Sequence, residues 1–84
     1  MRLEEGVGEV LRAARKARGL SQERLALEAG VERNYISLIE LGRNSPSVRV
    51  LFKLCKVLEL PQSELLAQVE QLMRGGQKKR SAKR

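Results

Sequence analysis

The chain has no histidine, no aspartate and no tryptophan, and one each of cysteine, tyrosine and phenylalanine among 84 residues. Without histidine or aspartate, acid-base chemistry would fall to ten glutamates. These are scattered over expected helix surfaces, with no pairing suited to proton transfer, so an enzyme is the function class the sequence supports least. A lone cysteine excludes an internal disulfide, and without histidine it leaves no zinc ligand set. No metal, cofactor or small-molecule ligand is expected. Long hydrophobic runs are missing too: the longest apolar stretch, Val48 to Leu60, is broken by Arg49, Lys53, Lys56 and Glu59. That pattern suits neither a membrane span nor a secretory leader, so a reducing, cytoplasmic setting is expected.

What is abundant is positive charge, a net +7. Its distribution matters more than its sum. Arg74, Lys78, Lys79, Arg80, Lys83 and Arg84 supply six of the 17 bases, and no acid lies beyond Glu70, leaving residues 1–73 with 11 bases against 10 acids. Binding to a polyanion must therefore be argued from where charges sit. The length allows one small domain with a thin stability margin, for which pairing with a second copy would be a gain.

Met1 to Gly6 is expected to be a frayed start. From Val7 to Arg18 the residues Val7, Val10, Leu11, Ala14 and Ala17 follow the helical period, and Gly19 ends this first helix. Its other face carries Arg12, Lys16 and Arg18, a solvated surface from which Arg12 or Lys16 could also reach a phosphate. Ser21 caps a second helix over Gln22 to Ala29, with Leu20 and Leu25 placed as a hydrophobic staple. Gly30 tolerates the positive φ that allows an abrupt turn. A third helix, about Arg33 to Leu41, turns Tyr35, Ile36 and Ile39 inward with Val31, and leaves Arg33, Asn34, Ser37, Leu38 and Leu41 facing out. Glu32 is a weak cap for it. Gly42 to Pro46 form a loop, Ser47 caps a fourth helix over Val48 to Leu58, and a fifth follows Pro61 over about Gln62 to Met73. Gly75 and Gly76 are expected to release a disordered basic tail, either an electrostatic arm or a solubilising extension.

An outward helix face with an arginine, an amide and a hydroxyl suits the base edges of a major groove. Arg33 is the leading candidate, because a guanidinium can grip guanine in two hydrogen bonds. Asn34 could pair with adenine or hold a phosphate; Ser37 and Leu38 would lie deeper, leucine against a thymine methyl. Tyr35 is expected to pack its ring inside with its hydroxyl at the rim, within range of a phosphate. Glu32 would repel phosphate unless it accepted a hydrogen bond from cytosine. Arg43, Asn44 and the free amides after Ser47 would form an anion cradle.

Counted from Gln22, the residues Leu25, Ala26, Ala29, Gly30, Val31, Ile36 and Ile39 resemble the signature of the phage-repressor (Cro/XRE-type) helix-turn-helix family. Arg15, Gly19, Glu40, Gly42, Asn44 and Pro46 are similar to the family's flanking frame, so the resemblance covers Val7 to Met73. NYISLIE, with the arginine before it, looks most like the short controller proteins of restriction-modification systems. The resemblance implies an all-α, five-helix lambda-repressor-like domain over residues 1–73, with helices two and three as the helix-turn-helix and residues 74–84 as a flexible basic tail. It implies that Gln22 and Ser21, at the start of helix two, and the loop of Arg43, Asn44 and Ser47 hold the DNA backbone. It also implies that Arg15 pairs with Glu40; the residues themselves show only opposite charges. In activating members an acidic position on helix two, where Glu23 and Glu28 stand here, meets RNA polymerase.

Helices four and five carry more apolar residues than one small core needs. Phe52, Val57, Leu65, Leu66, Val69 and Leu72 are accordingly expected at a two-fold homodimer interface, the alternative being a wider internal core. The function these readings imply is a sequence-specific transcriptional regulator acting as a homodimer on palindromic double-stranded DNA. Other readings are an antitoxin of the same fold and a protein-interaction module that has lost DNA readout.

Overall fold

In the computed structural model, residues 1–81 are described, with side-chain surroundings through residue 75. They form five helices: α1 (Leu3–Ala17), α2 (Gln22–Ala29), α3 (Arg33–Glu40), α4 (Val48–Leu58) and α5 (Gln62–Ser81). Helix starts follow local chemistry. Ser21 Oγ accepts from the Arg24 amide at 3.0 Å and Ser47 Oγ from the Val50 amide at 3.1 Å, each satisfying a donor that the helix cannot. Glu32 sits at the start of α3 without a side-chain cap bond. Gly19, Gly30 and Gly42 all have φ above 70° or at it, and each stands at a turn after a helix.

α1 packs on α3 and α5, α2 on α3 and α4, and α4 on α5. Leu11, Leu25, Ile36, Ile39, Leu54, Leu65 and Val69 fill the centre, together with Cys55 and Leu58 from α4. Each fully buried aliphatic side chain contributes roughly 1.5 to 3 kcal/mol of transfer free energy. Burial also pushes the Cys55 thiol pKa up, keeping it neutral. Among the described residues no helix is long and apolar enough to cross a membrane.

The structure corrects the sequence reading in three places. The start is not frayed: α1 begins at Leu3, and the Arg2 amide donates to Glu5 Oε1 at 2.9 Å. The fifth helix does not end near Met73, because Gly75 and Gly76 lie inside it. Glycine weakens a helix interior by about 1 kcal/mol, but it stops a helix only when it takes positive φ, and neither does so here. The part of the expected tail at 82–84 lies outside the described residues. Leu65 and Val69, expected at a dimer interface, are 0% and 1% exposed and belong to the protomer's own core. The helical period places them one turn apart on a single stripe, and α1 and α4 cover that stripe.

A further departure is Glu59, which ends α4 in the left-handed conformation, φ 54°, that glycine usually provides. Arg18 Nη1 reaches its carboxylate at 2.7 Å, and this bond draws the Glu59 pKa down. Both groups are largely in water, so the clasp is weak.

Gly8 sets the spacing of α1 and α3. A Cβ there would collide with the carbonyl oxygens of Ile39 and Glu40, 2.8 Å from the second, and backbone cannot swing aside as a side chain can. Gly8→Ala is expected to destabilise the fold by about 1 to 3 kcal/mol, the usual cost of overpacking, despite alanine's better helix propensity. Urea unfolding of the two proteins measures this, and an unchanged midpoint would contradict the close approach.

Candidate nucleic-acid interface

The helix-turn-helix is built around one bend. Gly30 takes φ 73°, and the Val31 amide returns to the Ala26 carbonyl at 3.0 Å, so only three residues separate the end of α2 from the start of α3. Ile36 and Ile39 anchor α3 in the core, each 1% exposed. This fixes the rotation of the helix about its axis. Arg33 and Asn34 then stand exposed in its first turn, Ser37 and Leu38 are half-buried along it, and Leu41 is exposed just beyond its end. Tyr35 is half-buried, with its ring against the core.

The far end of α3 is held by a buried polar cluster. Arg15 Nε donates to Glu40 Oε2 at 2.7 Å and Nη2 to Oε1 at 3.0 Å, a bidentate grip, while Nη1 donates to the Leu20 carbonyl at 2.7 Å. The Arg15 and Glu40 side chains are 9% and 3% exposed. The hydrogen bond to Glu40 raises the Arg15 pKa against the opposing effect of burial. Gln22 joins the same carboxylate, its Nε2 donating to Glu40 Oε1 at 2.9 Å. One carboxylate thus ties α1, the first turn of α2 and the last turn of α3 together.

The loop after α3 continues this end of the site. The Gly42 amide bonds to the Ile39 carbonyl and the Arg43 amide to that of Leu38, at 3.0 and 2.9 Å. Arg43, Asn44 and Ser47 are exposed beyond that turn. Among the described residues, no hydrogen bond or ion pair engages the side chains of Arg33, Asn34, Arg43 or Asn44. The structure therefore gathers the expected residues into two groups. Arg33 and Asn34 open α3; Gln22, with Ser21 beside it in sequence, and Arg43 and Asn44 lie at its other end, about 12 Å away along an eight-residue helix, and Ser47 follows at the start of α4. The hydroxyls of Ser21 and Ser47 accept the capping bonds and keep their own protons for an outside acceptor.

Two features of this region escaped the sequence reading. Arg2 Nη2 donates to the Gly42 carbonyl at 2.8 Å, across 40 residues of chain. Gly42 is packed so closely that a Cβ on it would lie 2.9 Å from Glu5 Cγ. No periodicity or motif marks either contact, because both depend on how α1 crosses α3.

Elsewhere on the surface an open apolar groove runs between the end of α4 and the start of α5, lined by Phe52, Cys55, Leu60 and Pro61 together with Lys53, Lys56 and Glu59. Phe52 is 59% exposed and Leu66 42%, while Val57 and Leu72 are half-buried.

A family profile described as helix-turn-helix matches residues 11–65. The chain belongs to the helix-turn-helix family, of the Cro/XRE type. Among similar members, the transcriptional regulator ClgR of Mycobacterium tuberculosis is 42% identical over 62 residues, covering 74% of this chain and 55% of ClgR. The HTH-type transcriptional regulator SlrR of Bacillus subtilis is 42% identical over 60 residues, 70% of this chain and 40% of SlrR. The chain thus spans about half the length of these relatives. Among solved structures, ClgR from C. glutamicum superposes with a TM-score of 0.82 at 29% identity, covering 87% of this helix-turn-helix chain and 95% of that one. The restriction-modification controller protein C.AhdI from Aeromonas hydrophila gives 0.72 at 37% identity, over 74% of this chain and 94% of C.AhdI. The controller C.Esp1396I gives 0.76 at 27%, over 84% and 91%.

In this helix-turn-helix domain, Arg15→Ala or Glu40→Ala is expected to cost roughly 3 to 5 kcal/mol, since each leaves a buried charge unpaired. The double replacement should cost less than the sum of the two singles, and thermal melts of the three variants measure the coupling. A raised arginine pKa contributes stability that is lost only as pH rises through the folded value, so this side of the pair should not titrate anywhere in the working range.

Proposed function

We propose that the chain is a sequence-specific DNA-binding regulator of transcription, working in the cytoplasm as a two-fold homodimer on a palindromic operator, and acting by binding rather than by catalysis. The observation that carries this reading is the state of the α3 surface. Ile36, Ile39 and the Arg15–Glu40 pair hold the helix in place, yet Arg33 and Asn34 at its start spend no side-chain hydrogen bond on the described residues. Holding free guanidinium and amide groups in a fixed frame is what base readout in a major groove needs. Gln22, Ser21, Arg43, Asn44, Ser47 and the rim hydroxyl of Tyr35 would hold the sugar-phosphate backbone, setting the register in which Arg33, Asn34, Ser37 and Leu38 meet base edges. The relatives support the class: several are named as transcriptional regulators, and five of the superposable structures, of two proteins, are named as restriction-modification controllers. Structures of the controller C.Esp1396I include forms with an arginine replaced and forms with a tyrosine two positions later replaced. Here Arg33 and Tyr35 stand two positions apart.

The exposed Phe52 and Leu66, with the half-buried Val57 and Leu72, are the residues a second copy would cover. In such a dimer each subunit presents one α3, and half-sites lie about one helical turn, roughly 34 Å, apart. The working unit is the five-helix domain, with the bases of 74–84 adding sequence-independent phosphate attraction. Glu23 on the outer face of α2, near the exposed Leu27, is where RNA polymerase would be met. No cofactor or small-molecule effector is required.

Arg33→Ala is expected to lower the preference for a selected operator over scrambled DNA by about 1 to 3 kcal/mol while leaving the melting temperature in place. A mobility-shift competition measures it; full retention of preference would remove Arg33 from readout and favour a protein-interaction module instead. Phe52→Ala should weaken self-association by about 2 kcal/mol, roughly thirtyfold in dissociation constant. Sedimentation of both proteins at micromolar concentration tests this, and a monomeric parent protein would reject the dimer.

A further inference from the structure

We propose that Arg2 is a further cation of the DNA-backbone contact, held beside the loop after α3 by its bond to Gly42. The proposal rests on the DNA-binding reading above and adds a residue that neither periodicity nor motif assigns to it. Its starting point is that Arg2 occupies the wrong place for α1. It is the residue that caps the helix, where serine, threonine, asparagine or aspartate serves best, and its positive charge lies at the end where the helix dipole disfavours a cation. Where a sequence breaks a local rule, a role outside local stability is the usual reason.

The geometry supplies that role. Arg2 Nη2 donates to the Gly42 carbonyl at 2.8 Å, so the guanidinium is anchored one peptide from Arg43, whose Cα follows that of Gly42 at about 3.8 Å. One N–H is used in the anchor, and the rest of the fork remains open to solvent, the side chain being 67% exposed. An anchored arginine has already lost much of the rotamer freedom that a phosphate contact would otherwise take away. The nearby acids do not cancel it. Glu5 Oε1 accepts from the Arg2 amide, and Glu4 Oε1 makes only a long, exposed ion pair with Nε at 3.9 Å, which solvent screens. On the loop side, Arg43 is the neighbouring base and residues 41–47 contain no acid, so Arg2 adds a second cation to that edge. Arg2, Arg43 and Asn44 together form one backbone-gripping edge, assembled from the two ends of residues 2–44.

The test uses the full chain with Arg2→Ala, Arg2→Gln and Arg2→Lys. Fluorescence anisotropy follows binding to a duplex selected from a random pool and to a scrambled duplex, across a series of KCl concentrations, with a thermal melt of each protein. Alanine and glutamine are expected to weaken both duplexes by the same factor and to flatten the salt dependence by about 0.9 log units for each subunit bound. Lysine should keep the slope, and all four melting temperatures should agree. An unchanged slope in Arg2→Ala overturns the proposal, including the case in which affinity falls because Gly42 has lost a brace. A loss confined to the selected duplex overturns it too. Should the parent chain bind both duplexes equally, sequence-specific regulation fails, while the slopes on either duplex still decide Arg2. Should it bind neither, both readings fall.

Discussion

One carboxylate organises this small domain. Glu40 closes α3, receives Arg15 from α1 through two hydrogen bonds and Gln22 from α2 through a third. Without it, the angle between the two halves of the helix-turn-helix would rest on the Gly30 turn and on side-chain packing, which in a core this small tolerates repacking. A buried ion pair adds little net stability over an apolar substitute. Its effect here is directional: planar guanidinium meets planar carboxylate in one geometry, and the Leu20 carbonyl fixes the arginine from behind. Because Gln22 hangs on the same group, the position of a side chain suited to the DNA backbone is set by the same bonds that set α3.

Gly8 complements this from the steric side. The carboxylate can reach Arg15 only if α1 and α3 lie close, and the missing Cβ at Gly8 lets the backbone of α1 approach the carbonyls of Ile39 and Glu40. Attraction and clearance thus occur one above the other on a single face of α1, since residues 8 and 15 are two turns apart. The outward side of α3 inherits its rigidity from these inward contacts.

Much of this was legible beforehand. Ser21, Gly30 and Ser47 act locally, so the limits of α2, of the turn and of the start of α4 followed from residue chemistry alone. The inward stripe of α4 followed from period. Contacts between distant segments left no such mark. Nothing local says that Arg2 would find Gly42, that Gly8 is a clearance, or that Glu59 would adopt a left-handed backbone. The surplus of apolar residues on α5 was visible, but the choice between core and interface depended on how far α1 and α4 reach over it. They reach Leu65 and Val69 and leave Leu66 outside. Charge said little in bulk, since six of the 17 bases lie beyond residue 73, whereas Arg33 and Arg43 stand exposed near the two ends of one short helix.

Cys55 has a use that its modest role in packing conceals. It is the sole thiol, 5% exposed, neutral because burial disfavours the thiolate, and it lines the apolar groove between α4 and α5. A reagent that attacks only the ionised sulfur must wait for that wall to open, so alkylation of the native chain is a clock for local breathing at this seam. The chain thereby carries an intrinsic reporter, with no engineered label, for motion of the seam between α4 and α5.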